Sequence, residues 1–345
     1  MDNWQPPTLP LPSMRIAFYI NDPVTNGEAA IALSWVRQLA MQYPEDRHLV
    51  LSEHPLSAWD ESFALPQVTI AYLPPRYRFF PFWADALLFK KLHSFKPDLV
   101  VSTHPAQRAY SRCKQVRVTA QAGLAFGGTE TFFTPVASDA YSLLSTDEKH
   151  AIKEQWSLGR EFFMLAGTLP SELQLTLLLQ AFSIFKHRQQ SGLRLVLPFS
   201  LSDHYPSLDK KIDHYKYRSA LVITGAIAPK QVAQLAGSAY ALVAPGPPGS
   251  ATLAMLQSWQ IGVPLLVFPD SGLSTLANES VLFASEPTKE ALAVIMMQIY
   301  KDESLRLQLI RNGQHYWSTI DTAAATTRLR TTLQQLTIGP PAPTA

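Results

Sequence analysis

Two apolar patterns alternate along the chain. Short runs solid in apolar side chains are separated by longer stretches in which apolar residues recur at three- and four-residue spacing, the signatures of buried strands and of amphipathic helices. In the first half the solid runs are "MRIAFYI", "HLVLS", "VTIAYLP", "DLVVSTH" and "VRVTAQA". Helical spacing marks "AIALSWVRQLAMQYP", which stops at Pro44, and "FWADALLFKKLHSF". In the second half "EFFMLAG", "LRLVLPF", "ALVITGA", "YALVAP", "PLLVFP" and "VLFAS" predict strands. Between and after them, "LQLTLLLQAFSIFKHRQQ", "PKQVAQLAGSA", "ATLAMLQSWQIG", "KEALAVIMMQIYKD", "ESLRLQLIRNGQHYW" and a stretch near Ala323–Leu336 predict helices.

Strands that are apolar throughout, rather than alternating, belong to parallel sheets covered on both faces. The alternation runs twice, and a polar helical stretch from Asp139 to Trp156 separates the two runs. This predicts an α/β chain of two doubly wound parallel-sheet domains facing across a cleft. The expected parts are a flexible Pro-rich N-terminus (1–13), a first domain (14–155), a second domain (156–320), and a final helix with a Pro-rich tail (321–345). A length of 345 residues suits two domains of about 150 each. Ligands of such folds lie at the carboxyl ends of the strands.

Composition narrows the chemistry. With 16% charged residues and a net charge of +2, nothing points to a nucleic-acid partner. A single cysteine, Cys113, excludes an internal disulfide and a cysteine-rich metal site. The start "MDNWQPPTLPLPSM" has no basic region followed by an apolar run, so no signal peptide is predicted. No window suits a spanning helix, and the expected location is cytoplasmic. No Walker, Gly-x-Ser-x-Gly or dinucleotide fingerprint occurs, no Asp-x-Asp pair suggests a metal grip, and the histidines show no metal spacing.

The stretch "PGPPGSATLAMLQSWQIGVP" is shaped like a ligand loop feeding a helix, yet it has no charged residue. In its wider setting, "ALVITGAIAPKQVAQLAGSAYALVAPGPPGSATLAMLQSWQIGVPLLVFPDSG" resembles the donor-side half of the retaining glycosyltransferases of family 4, which have the GT-B fold. "EFFMLAGTLPSELQLTLLLQAFSIFKHRQQSGLRLVLPF" resembles that half's opening strand, donor loop and helix, and the likeness spans about 161–317. "TNGEAAIALSWVRQLA" resembles the family's glycine turn and first helix.

The resemblance implies transfer of a sugar from a nucleotide-diphosphate sugar to a glycan or lipid-linked acceptor, without metal and without a cofactor beyond the donor. It also implies charged donor contacts that this chain lacks. The positions of the family's arginine and lysine fall on Thr168 and Leu173, and those of its two glutamates on Gly249 and Gln257. Its His-Asp pair falls around Ala122 and Gly123. Two readings follow: a divergent enzyme, or a catalytically inactive homologue that binds a glycan, a nucleotide or a protein. Losing one transition-state contact costs on the order of 3–4 kcal/mol, so several losses weigh on the first reading.

Neutral donors remain. Gly167, Thr168, Ser171, Gly249, Ser250, Thr252 and Gln257 are the candidate donor-binding residues; the competing role of Ser250 or Thr252 is helix capping, and that of Gly167, Thr168 and Ser171 is a loop whose Pro170 starts the following helix. Gly27 and Gln121 are candidates on the acceptor side of the cleft. His104, at the carboxyl end of an apolar run, is the candidate general base. The basic and aromatic stretch 76–96 is a candidate peripheral contact with the inner face of the membrane, where lipid-linked acceptors reside.

Overall fold

The computed structural model describes residues 13–20, 22, 26–53, 65–73, 81–103, 114–118, 123–126, 129–132, 140–246, 248–269, 273, 277 and 279–338. In the first domain β1 (Arg15–Ile20), β2 (Arg47–Ser52), β3 (Val68–Tyr72), β4 (Leu99–Ser102) and β5 (Lys114–Val118) pair in parallel, in the order β3-β2-β1-β4-β5. Residues of β1 alternate between two cores. Ile16, Phe18 and Ile20 face one side with Trp35 and Val36 of α1 (Gly27–Gln42); Ala17 and Tyr19 face the other with Leu88 and Leu92 of α2 (Pro81–Phe95). Covering both faces is why this strand reads as unbroken apolar sequence.

The expected all-parallel sheet is extended at its edge. Strands β6 (Gly123–Phe126) and β7 (Thr129–Phe132) form a hairpin that adds antiparallel to β5. The hairpin follows the run "VRVTAQA" and is built of the four-residue segments "GLAF" and "TETF", too short for a period to read.

Helix α3 (Thr146–Ser157) follows, opened by a capping box between Ser145 and Glu148. The second sheet has the order β10-β9-β8-β11-β12-β13 and is parallel throughout. Its strands are β8 (Phe162–Leu165), β9 (Arg194–Leu197), β10 (Leu221–Ile223), β11 (Ala241–Ala244), β12 (Leu265–Val267) and β13 (Val281–Phe283). Helix α4 (Glu172–Gln189) connects β8 to β9, and the short α5 (Leu201–His204) and α6 (Pro206–Ile212) lead on to β10. Helix α7 (Pro229–Ser238) precedes β11, and α8 (Pro248–Ile261) joins β11 to β12. Phe163 and Leu165 pack into one core with Phe182 and Phe185; Phe162 and Met164 pack into the other with Met255 and Trp259.

Helices α9 (Lys289–Lys301) and α10 (Glu303–Thr319) complete the second domain. Gly313 of α10 lies against the Trp259 indole, where a side chain would collide. The last helix, α11 (Thr322–Ile338), crosses back, and its Leu329 and Leu333 join the core beneath β1. The first domain is therefore completed by the far end of the chain. No described helix is long and apolar enough to cross a membrane.

Candidate functional site

The two domains meet where the carboxyl edge of each sheet feeds a helix. On the first domain that helix is α1, whose N-cap Asn26 accepts a hydrogen bond from the Ala29 N–H at 2.8 Å through Oδ1. On the second it is α8, which begins beside Gly249 and Ser250. The two helix starts touch backbone to backbone: a Cβ on Gly27 would run into the carbonyl carbon of Gly249 and the nitrogen of Ser250. A Cβ on Gly249 would lie 3.1 Å from the Glu28 nitrogen. Glycine is needed on both sides for this approach.

Behind this contact sits the loop after β8. Gly167 has φ of +83°, a conformation that favours glycine, and a Cβ there would also strike the Ser250 hydroxyl. The Thr168 N–H donates to Ser250 Oγ at 2.8 Å, so Ser250 ties the loop after β8 to the start of α8. A Cβ on Gly246, in the loop before α8, would fall 2.9 Å from the same oxygen. Ser250, Thr252 and Thr168 are buried, and the Thr168 hydroxyl has no hydrogen-bond partner among the described residues. Gln257 is half-buried two turns further along α8.

The structure thus brings together Gly27, Gly167, Thr168, Gly249 and Ser250 around one seam. Ser171 is used otherwise: its Oγ accepts from the Gln174 N–H at 3.2 Å while Gln174 Oε1 accepts from the Ser171 N–H at 2.9 Å, a capping box that starts α4. His104 and Gln121 lie outside the described residues, as do 76–80 of the basic and aromatic stretch. The rest of that stretch is mostly α2, with Leu88 and Leu92 buried and Lys90 and Lys91 exposed. Among the described residues no group of three His, Cys, Asp or Glu side chains gathers as a metal site would require.

Sequence reasoning passed over Glu28. It reads as a first-turn acid, favourable at a helix N-terminus. In the structure it is half-buried at the seam, and burial raises its pKa above the ordinary carboxylate value, partly offset by the Arg117 guanidinium. A lone acid beside the glycine of "TNGE", facing a loop with no charge, was the signal in the sequence.

Residues 146–316 match the family described as glycosyl transferases group 1. No match was found among curated protein sequences. Among solved structures, Anabaena HepE in complex with UDP and glucose superposes with a TM-score of 0.70 at 12% identity, over 93% of this chain and all of that one. Sucrose-phosphate synthase from Thermosynechococcus elongatus gives 0.66 at 11% identity, over 94% and 99%. UDP-GlcNAc 2-epimerase from Neisseria meningitidis bound to UDP-GlcNAc gives 0.62 at 8%, over 93% and 100%. Likeness at these identities carries the fold, and the epimerase shows that this fold also hosts other chemistry. The chain as a whole has the GT-B fold, and its match to glycosyl transferases group 1 lies within residues 146–316.

Proposed function

We propose that the protein transfers a sugar from a nucleotide-diphosphate sugar, held against the second domain, to a glycan or lipid-linked acceptor held against the first. The observation that carries this reading is the position of the seam. The loop after β8 and the start of α8 converge, within the matched family domain, at the carboxyl edge of the second sheet, opposite the glycine that opens α1. That edge is where parallel α/β sheets take their ligands, and helix N-termini suit the donor's phosphates. The neighbouring structures that hold UDP or UDP-sugars support the donor class.

The finer reading is of a family 4 enzyme with a retaining, metal-independent mechanism. Gly167, Thr168, Gly249, Ser250, Thr252 and Gln257 serve the donor through neutral hydrogen bonds, with Ser171 holding the helix beside them. Gly27 and Gln121 line the acceptor side, and His104 is the general base. Work on lipid-linked acceptors places the protein in the cytoplasm at the inner face of the membrane, resting there through 76–96. Cosedimentation with anionic vesicles, abolished by replacing Lys90 and Lys91, tests that placement.

A second reading has a specific observation behind it. The donor loop carries Thr168 and Leu173 where the resembling family has cations, and α8 carries Gly249 and Gln257 where it has acids. An inactive homologue that binds a nucleotide, a glycan or a protein would tolerate these neutral residues. Calorimetric titration with UDP, GDP and their glucose conjugates, followed by assays of sugar release and transfer, separates the two. Binding with turnover establishes the enzyme, binding without turnover the module, and silence toward every nucleotide sugar sinks the donor assignment.

A further inference from the structure

The second domain brings the neutral residues Gly167, Thr168, Gly249 and Ser250 to the seam, and the first domain places the acid Glu28 beside it. Glu28 follows directly on the glycine that touches Gly249, and its backbone nitrogen approaches Gly249 closely. Its carboxyl is half-buried and makes no hydrogen bond or ion pair with any described residue. The helix dipole explains an acid in the first turn of α1. It does not explain half-burying that acid without a partner among the described residues, which costs free energy.

Arg117 is the opposite charge that acts on it. It stands near the end of β5 in register with Ser102 of β4, which is in register with Tyr19 of β1. That places it on the carboxyl edge of the first sheet, the edge that faces the seam. Its side chain is exposed and makes no hydrogen bond or ion pair with any described residue. The two opposite charges influence one another without pairing. Unpaired charges concentrated at a ligand edge mark groups that a ligand completes.

We propose that the first domain supplies the charged contacts of the donor cleft, Glu28 accepting hydrogen bonds from hydroxyls of the bound sugar and Arg117 facing the donor's phosphates. An ionised carboxylate has two acceptor oxygens and no donor, which suits neighbouring sugar hydroxyls. A guanidinium fork suits phosphate oxygens. This division supplies from across the cleft what Thr168, Leu173, Gly249 and Gln257 cannot. The inference rests on the nucleotide-sugar reading given above.

The test is calorimetry on the full chain with UDP and UDP-glucose as probes. Glu28→Gln is expected to weaken UDP-glucose about tenfold while leaving UDP within about twofold, and Arg117→Gln to weaken both about tenfold, a loss typical of one charged hydrogen bond. Glu28→Asp, which keeps the charge, is expected to recover part of the UDP-glucose affinity. Neither substitution removes a pairing in the protein, so melting temperatures are expected to stay near the wild-type value. If the wild type binds both probes and the variants bind them equally well, the charge assignment falls and the nucleotide-sugar reading stands. If Glu28→Asp is as weak as Glu28→Gln, the carboxylate contact is overturned. If the wild type binds neither probe, the nucleotide-sugar reading fails and takes this inference with it.

Discussion

The Arg330 guanidinium meets the Asp46 carboxylate in a fully buried, two-pronged ion pair, Nε to Oδ2 at 2.7 Å and Nη2 to Oδ1 at 2.9 Å. Asp46 Oδ1 also accepts from the Met14 N–H at 2.7 Å, and the Tyr43 ring lies 4.4 Å from the guanidinium carbon. The pair fastens α11 to the strand starts of the first domain. Arg330→Met strands a buried carboxylate and is expected to cost about 3–5 kcal/mol. The double variant Asp46→Asn with Arg330→Met, which leaves only the half-exposed Glu45 carboxylate without its partner, is expected to regain part of that loss. Urea denaturation of the three proteins checks both; an Arg330→Met midpoint equal to wild type contradicts the anchoring role.

Gly27→Ala puts a methyl group into the backbone of Gly249 and Ser250, where no side-chain rotation relieves it. Either the helix starts separate or the second domain shifts, at a cost of about 1–3 kcal/mol. Small-angle scattering is expected to show a larger radius of gyration, with a lower melting temperature. Gly192→Ala is the control, since its nearest neighbour is the end of the Arg160 side chain at 3.5 Å. Identical scattering from Gly27→Ala and wild type would remove the seam from the account.

Ser250→Ala removes the acceptor of the buried Thr168 N–H. An unpaired buried amide costs roughly 1–3 kcal/mol. Denaturation should report that loss, and hydrogen exchange at the Thr168 amide should quicken selectively. Unchanged exchange there would mean that the loop after β8 does not depend on Ser250.

His48 in β2 is fully buried against Phe18, and neither ring nitrogen has a hydrogen-bond partner among the described residues. Burial is the main cause that lowers its pKa from 6.5 to about 4; Arg330 lowers it further, and Asp46 opposes the shift. The folded state therefore holds the ring neutral at pH values where the unfolded chain protonates it. Stability from this site is complete above about pH 6.5 and is lost as the pH falls from there toward 4. The shift corresponds to roughly 2–4 kcal/mol. Denaturation midpoints at pH 7.5 and 4.5 are expected to differ by less in His48→Gln than in wild type. An equal difference in the two proteins would rule out His48 as the source.

Much of the fold was legible because burial on both faces writes itself into sequence. Stretches such as "FFML" in "EFFMLAG" and "ALVA" in "YALVAP" are apolar at every position, and that pattern predicted the parallel strands β8 and β11. The hairpin β6–β7 was not legible, because each strand is only four residues long, "GLAF" and "TETF", too short to show a period. For α11, helical spacing located the element near Ala323–Leu336 but named no partner. Asp46 and Arg330 are 284 positions apart, and nothing local records that they meet.

The candidate site divides in the same way. "PGPPGSATLAMLQSWQIGVP" and "GTLPSELQL" identified by themselves a strand–turn–helix pair without charge, since turn glycines and helical spacing are local properties. Tertiary structure alone decided that Ser250 holds the Thr168 backbone, that Ser171 is spent on a cap, and that Gly27 meets Gly249 across the domains. It alone left Glu28 half-buried beside them. Periodicity is set by each element's own geometry, whereas burial, pairing and charge environment depend on what the rest of the chain places alongside.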